Sequence, residues 1–116
     1  MKKKKLGNIG EQVATEYLVK NNYKILLRNF YTRNGEIDII AKYKNEIVFI
    51  EVKTRSSTNY GKPIEAVNRL KQKHFYNTAK FYLYKNKQLN RFVRFDVIEV
   101  LLKDGKFNIN HIKQIM

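Results

Sequence analysis

GEIDIIAKYKNEIVFIEVKTR, residues 35–55, carries four of the ten acidic residues of a 116-residue chain, set among its most apolar residues. Acids are usually placed on solvated faces; three of these, Glu36, Asp38 and Glu51, stand close to Lys53 in segments built for a core. Both halves read as strands rich in isoleucine, valine and phenylalanine, and KYKNE between them reads as a tight turn. If the hairpin turns between Lys44 and Asn45, Asp38 lies opposite Glu51 and Glu36 opposite Lys53. Side chains alternate along a strand, so these four share one face with Ile40 and Phe49. Ile37, Ile39, Ala41, Val48, Ile50 and Val52 form an apolar set on the other.

Like charges directly opposed across a hairpin are destabilising. At about 5 Å and an effective dielectric near 20, Coulomb's law gives roughly 3 kcal/mol of repulsion between Asp38 and Glu51. A divalent cation between them would reverse the sign, and Mg²⁺ characteristically takes one or two carboxylates plus waters and substrate phosphate. Another register would leave the acids in solvated salt bridges with neighbouring lysines, the ordinary fate of an isolated E-x-K in a lysine-rich chain. Asp38, Glu51 and Lys53 on one face, together with a further acid from a helix, favour the cluster.

That further acid is Glu11. From about Asn8 to Asn21 the residues Ile9, Val13, Ala14, Tyr17 and Leu18 make one helical stripe. Glu11 falls beside Leu18 at its edge, so it faces partly inward, on a helix expected to cover the acidic face. YKILLRNFY reads as a strand before the hairpin. A second helix is expected from Pro63 to about Lys85, with Ile64, Val67, Leu70, Ala79 and Tyr82 inward. RFVRFDVIEVLL is a fourth strand, and Asp104-Gly105 signals a hairpin to a fifth around FNINHI. The expected fold is a single α/β domain over residues 1–116, a mixed five-stranded sheet flanked by helices, with residues 1–6 a basic, frayed tail.

Composition bounds the chemistry. No cysteine is present, which excludes disulfides and cysteine-ligated metal sites, and the only two histidines, His74 and His111, read as surface or edge residues. Asp96 in RFDV reads as structural. The lysine run at the start is not followed by an apolar signal-peptide core, and no stretch approaches a membrane span, so a soluble cytoplasmic protein is expected. The net charge of +14 favours a polyanionic partner, although lysine supplies most of it and arginine, the better phosphate ligand, is scarce.

An acid on one hairpin strand followed by E-V-K on the next resembles the PD-(D/E)XK nuclease superfamily, and IVFIEVKTR is similar to the corresponding strand of archaeal Holliday junction resolvases. More closely, GNIGEQVATEYL, LLRNFYTRNGEIDIIA, IVFIEVKTR, GKPIEAVNRLKQ and RFDVIEV resemble, in order, the YraN-like family of bacterial proteins. The resemblance implies a restriction-endonuclease-like fold and metal-dependent hydrolysis of DNA, branched or structured DNA included. It implies Asp38 and Glu51 as ligands of Mg²⁺ or Mn²⁺, Lys53 as the lysine that acts on the attacking water or the phosphate charge, and Glu11 as a helix-borne catalytic acid. The superfamily's proline before the first acid is absent here, where Gly35-Glu36-Ile37-Asp38 stands. Glu36 is then expected to pair with Lys53 rather than to bind metal.

Arg33, Arg55, Lys62, Lys71 and Lys73, with Arg28, flank the cluster in sequence and are candidates for phosphate contacts. Tyr76, Phe81, Tyr82 and Tyr84 are candidates for base stacking, though at helical spacing they also suit a core or its rim. The expected partners are nucleic acid, DNA in the first place, and a second copy of the chain in a homodimer, with no membrane. Two other readings are a non-catalytic nucleic-acid-binding module and a basic adaptor for an acidic protein.

Overall fold

The structure is a computed structural model that describes residues 3–56, 69–88 and 91–115. In chain order the elements are α1 (Lys3–Lys20), β1 (Lys24–Thr32), β2 (Gly35–Tyr43), β3 (Glu46–Arg55), α2 (Arg69–Lys85), β4 (Phe92–Lys103) and β5 (Lys106–Ile112). They build one five-stranded sheet in the order β1-β2-β3-β4-β5, with a helix on each face. β3 and β4 are parallel and every other neighbour pair is antiparallel. Parallel neighbours need a crossover, and α2 lies within it. This is the α/β architecture anticipated from the sequence and is consistent with a restriction-endonuclease-like fold. α1 starts at Lys3, so its backbone takes in part of the lysine run expected to fray.

The apolar run of β3 is continuous because both faces of the sheet are covered. On one face Val48, Ile50, Ile39 and Ala41 pack under Ala14 and Leu18 of α1. On the other, Phe49, Ile47 and Ile40 pack under Phe75, Ala79, Tyr82 and Leu83 of α2. Each fully buried side chain of this size contributes about 1.5–3 kcal/mol. The face expected to be polar beyond Ile40 and Phe49 is therefore largely core. Gly10 lets α1 close on β3: a Cβ there would overlap Thr54 Oγ1 and lie 2.7 Å from the Thr54 Cβ.

Both helices end in the same way. Asn22, at φ 70°, follows α1, with Tyr23 N–H donating to the Leu18 carbonyl at 2.9 Å and Asn22 N–H to that of Val19 at 3.1 Å. Lys87, at φ 55°, does the same for α2, with Gln88 N–H on Leu83 and Lys87 N–H on Tyr84. A left-handed residue here turns the chain so that the next amides satisfy orphan carbonyls. In α1 the accompanying apolar contact is present, since Tyr23 and Leu18 share one cluster.

Asp96 is structural, as expected, and His111 joins it. Asp96 is fully buried and accepts from Arg94 Nε and Nη2 and from the Gln114 amide, while His111 Nε2 stands 2.7 Å from its Oδ2. The other ring nitrogen meets the Tyr17 hydroxyl at 2.9 Å, which ties α1 to β5. Burial pushes the Asp96 carboxyl up, but the bonds from His111 and Arg94 outweigh it and hold it below the usual range. His111 lies on the edge strand, one of the two places expected for it, but its side chain is only 5% exposed and so is no surface group. The sequence placed the histidine and the aspartate on separate strands; the β4–β5 pairing brings them together.

Candidate active site

The β2–β3 hairpin turns where expected: Tyr43 pairs with Glu46, and the ladder runs in that register to Ile39 opposite Ile50. It stops one step short of Asp38 and Glu51. The Asp38 side chain enters the gap, and its Oδ2 accepts the Val52 amide hydrogen at 2.7 Å, taking the place of a backbone partner. β1 is irregular at the same level. Between the pairs Arg28–Ile39 and Phe30–Ile37 stand Asp38 and Asn29, the latter at φ 54°. A left-handed residue breaks strand alternation. Alternation is broken on β2 at this level too, since Ile37 belongs with the α2 cluster although Ile39, two residues on, packs under α1. The expected placement of Ile37 with Ile39 is thus corrected, and so is the pairing of Glu36 with Lys53.

At this break opens a cleft of about 300 Å³, lined by Asn34, Gly35, Glu36, Asp38 and Glu51 from the sheet side and by Lys71, His74 and Phe75 from α2. Gly35, at φ 147°, begins β2 in a conformation that a side chain would strain. The helix over the acids is therefore α2, not α1. Glu11 lies beyond the cleft lining, 4.0 Å from Arg28. Its carboxyl is nevertheless raised, first by burial and then, against the lowering by Arg28, by the charges of Glu36 and Glu51.

The electrostatics follow from burial and crowding. Burial first, and the Glu51 charge second, push the Asp38 carboxyl up to about 8 against the bond from Val52. Glu51 is the more compensated of the two, since its Oε1 meets Lys71 Nζ at 2.9 Å and Lys53 Nζ at 3.3 Å. Burial and the neighbouring Lys71 lower the Lys53 ammonium, while for Lys71 the bonds to Lys53 and Glu51 outweigh burial and raise it. Lys53 makes its ion pair with Glu51 rather than with Glu36.

Asp38, Glu51 and Lys53 thus stand together, and Lys71, anticipated only as a flanking phosphate contact, stands with them. Lys73 and Arg33 are exposed, Arg55 is paired with Glu99 at 3.4 Å on β4, and Lys62 lies outside the described residues, as do Ile64 and Val67. Tyr82 is core, whereas Tyr76, Phe81 and Tyr84 are exposed on α2. Nothing in the sequence singles out His74, which has no ligand partner at a short spacing. One turn after Lys71, it follows that residue into the cleft by helical periodicity alone.

For a divalent cation, Asp38 and Glu51 are the fitting donors. They are two carboxylates lining the same cleft, and one oxygen of Asp38 remains after the other is fixed by Val52. Two carboxylates suit Mg²⁺ completed by water and substrate oxygens. Among the described residues no group of three or more histidine, aspartate or glutamate side chains is gathered for a metal. No helix among the described residues is long and apolar enough to cross a membrane.

Comparison with known proteins agrees with the motif order. A UPF0102 protein of Clostridium tetani is 54% identical over 102 residues, covering 87% of this chain and 83% of its own. One of Caldicellulosiruptor saccharolyticus is 48% identical over 115 residues, covering 97% and 98%. One of Caldanaerobacter subterraneus is 46% identical over 114 residues, covering 98% and 93%. A solved structure titled "Crystal structure of SSO0001" aligns with 94% of this chain and 50% of its own at 21% identity, and its TM-score of 0.38 is too low to carry an argument. Residues 10–100, from the middle of α1 through most of β4 and including every residue of the cleft, match the description Uncharacterised protein family UPF0102, the family to which this chain belongs.

Proposed function

We propose that this chain is a metal-dependent nuclease that hydrolyses phosphodiester bonds of DNA, with structured or branched DNA among its substrates. The observation that carries the reading is the break in the β2–β3 ladder, which sets Asp38 beside Glu51 in an open cleft with Lys53 and Lys71 at hand. A purely structural hairpin would gain nothing from opposing two acids there.

Asp38 and Glu51 would hold the Mg²⁺ or Mn²⁺, which when bound supplies positive charge to the phosphoryl oxygens and a more acidic water. The chain's own groups do the rest. The Val52 amide orients Asp38, and Phe75 and the rest of α2 limit water access from one side. Lys53, lowered by burial, exchanges a proton at Nζ more readily than an exposed lysine, which suits it to assist the attacking water; charged, it stabilises the phosphate in the transition state. Exposed cations such as Arg33 and Lys73 would track the backbone.

The test is cleavage of labelled linear, flapped and four-way DNA with Mg²⁺ or Mn²⁺. Lys53→Met is expected to lower the rate by about 10²-fold or more while DNA affinity stays within a few-fold, as for an interaction made only in the transition state. Cleavage undiminished in this variant overturns the role given to Lys53. A second reading, a nucleic-acid-binding module without catalysis, is favoured by one observation: two lysines already compensate Glu51. Tight, salt-sensitive DNA binding with no cleavage of any substrate would support it.

A further inference from the structure

We infer that Lys71 is the exchangeable counter-ion of this site: its ammonium holds Glu51 when no divalent cation is bound and competes with such a cation for the Asp38–Glu51 pair. The inference rests on the metal site proposed above and goes beyond it by naming what occupies the position otherwise.

Glu51 Oε1 is shared by two ammonium groups that differ in how they arrive. Lys53 follows Glu51 by two residues on β3 and so projects from the same strand face, 3.3 Å away, with its side chain 25% exposed. Its place is set by the strand whether or not anything else binds. Lys71 comes from α2, makes the shorter contact at 2.9 Å, and is the more exposed of the two at 40%. It also lines the cleft together with Asp38 and Glu51, so a cation reaching both carboxylates meets it first.

Two close carboxylates in a half-buried cleft need positive charge, and a lysine delivers one unit on a tether. A lysine head is a compact point charge on four rotatable carbons, so it can withdraw from one oxygen without breaking a planar, two-pronged bond. A divalent cation supplies twice the charge in the same space but must first displace the ammonium, which then repels it. Removing Lys71 should consequently tighten metal binding while weakening the metal-free protein. A lysine that merely braces α2 against β3 would weaken the protein equally with and without metal.

Mn²⁺ titration of the full chain, followed by calorimetry, and thermal melts in EDTA and in saturating Mn²⁺ test this on wild type, Lys71→Met, Lys71→Arg and Glu51→Gln. Lys71→Met should bind Mn²⁺ roughly tenfold more tightly, the size of one charge-assisted hydrogen bond no longer competing. It should melt below wild type in EDTA and recover the difference in Mn²⁺. Lys71→Arg, which keeps the charge and can grip the carboxylate with two N–H groups, should bind Mn²⁺ no more tightly than wild type. Equal or weaker Mn²⁺ binding by Lys71→Met, or a melting deficit that Mn²⁺ does not close, overturns the inference and leaves the site standing. Mn²⁺ binding that Glu51→Gln leaves unchanged overturns the site itself, and the inference with it.

Discussion

Asp96 is fully buried and Asp38 half-buried at the cleft, and their surroundings drive their carboxyls in opposite directions. Asp96 is ringed by His111, Arg94 and a backbone amide, so its charge is favoured; Asp38 is desolvated, faces Glu51 and has one amide to set against both, so its charge is not. The sign of the pH dependence follows. An acid whose folded pKa is raised, here from 3.8 to about 8, binds its proton more tightly in the folded state. Its contribution to stability is full below the unfolded pKa and lost as the pH rises through about 8. Asp38→Asn keeps the carbonyl that accepts from Val52 but carries no charge. In EDTA it should melt close to wild type below about pH 4, draw ahead as the pH rises, and stand above it by about 4 °C or more at pH 8.5. Melting curves across that range check it; a difference that does not grow with pH would show that Asp38 is not held against its charge.

At the scale of elements, α1 closes on β3 through Gly10. In an exposed helix, alanine in place of glycine stabilises by about 1 kcal/mol. Here the added methyl would run into Thr54 on β3, so the sign should invert. Gly10→Ala is expected to cost about 1–3 kcal/mol, the usual range for overpacking, measured by denaturant unfolding. A stabilising Gly10→Ala would mean that α1 stands farther from the sheet. The position matters to the cleft because Glu11 is the next residue: a helix pushed outward takes Glu11 away from Arg28 and from the charges at the cleft.

For the molecule as a whole, the net charge of +14 on 116 residues is the electrostatic basis of the DNA binding proposed above. Binding to DNA should be dominated by counterion release, with a log–log salt slope of about −0.9 per phosphate contact and little dependence on sequence. Titrations of duplex, single-stranded and four-way DNA from low to moderate salt check this. Affinity independent of salt, or absent at low salt, would favour the adaptor reading, in which the basic surface meets an acidic protein.

The order of elements, the turn between Lys44 and Asn45, the Asp104-Gly105 hairpin and the register that aligns Asp38 with Glu51 could all be read from local chemistry. Alternation, turn residues and helical spacing act over a few residues, and here they agree with one another. Three things could not. Asn29 in the middle of an apolar strand is a local hint of a left-handed residue, yet that the β2–β3 ladder stops short of Asp38 at the same level and that Ile37 turns to the α2 side depend on how β1, β2 and β3 meet. That α2 rather than α1 covers the acids, bringing Lys71 and His74 to Glu51, depends on which face the β3–β4 crossover takes. The placing of His111 against Asp96 depends on the β4–β5 register over a separation of 15 residues. Long-range packing decides such contacts, because burying both faces of the sheet leaves each helix one place to lie, and that choice, rather than any local preference, determines which charges share the cleft.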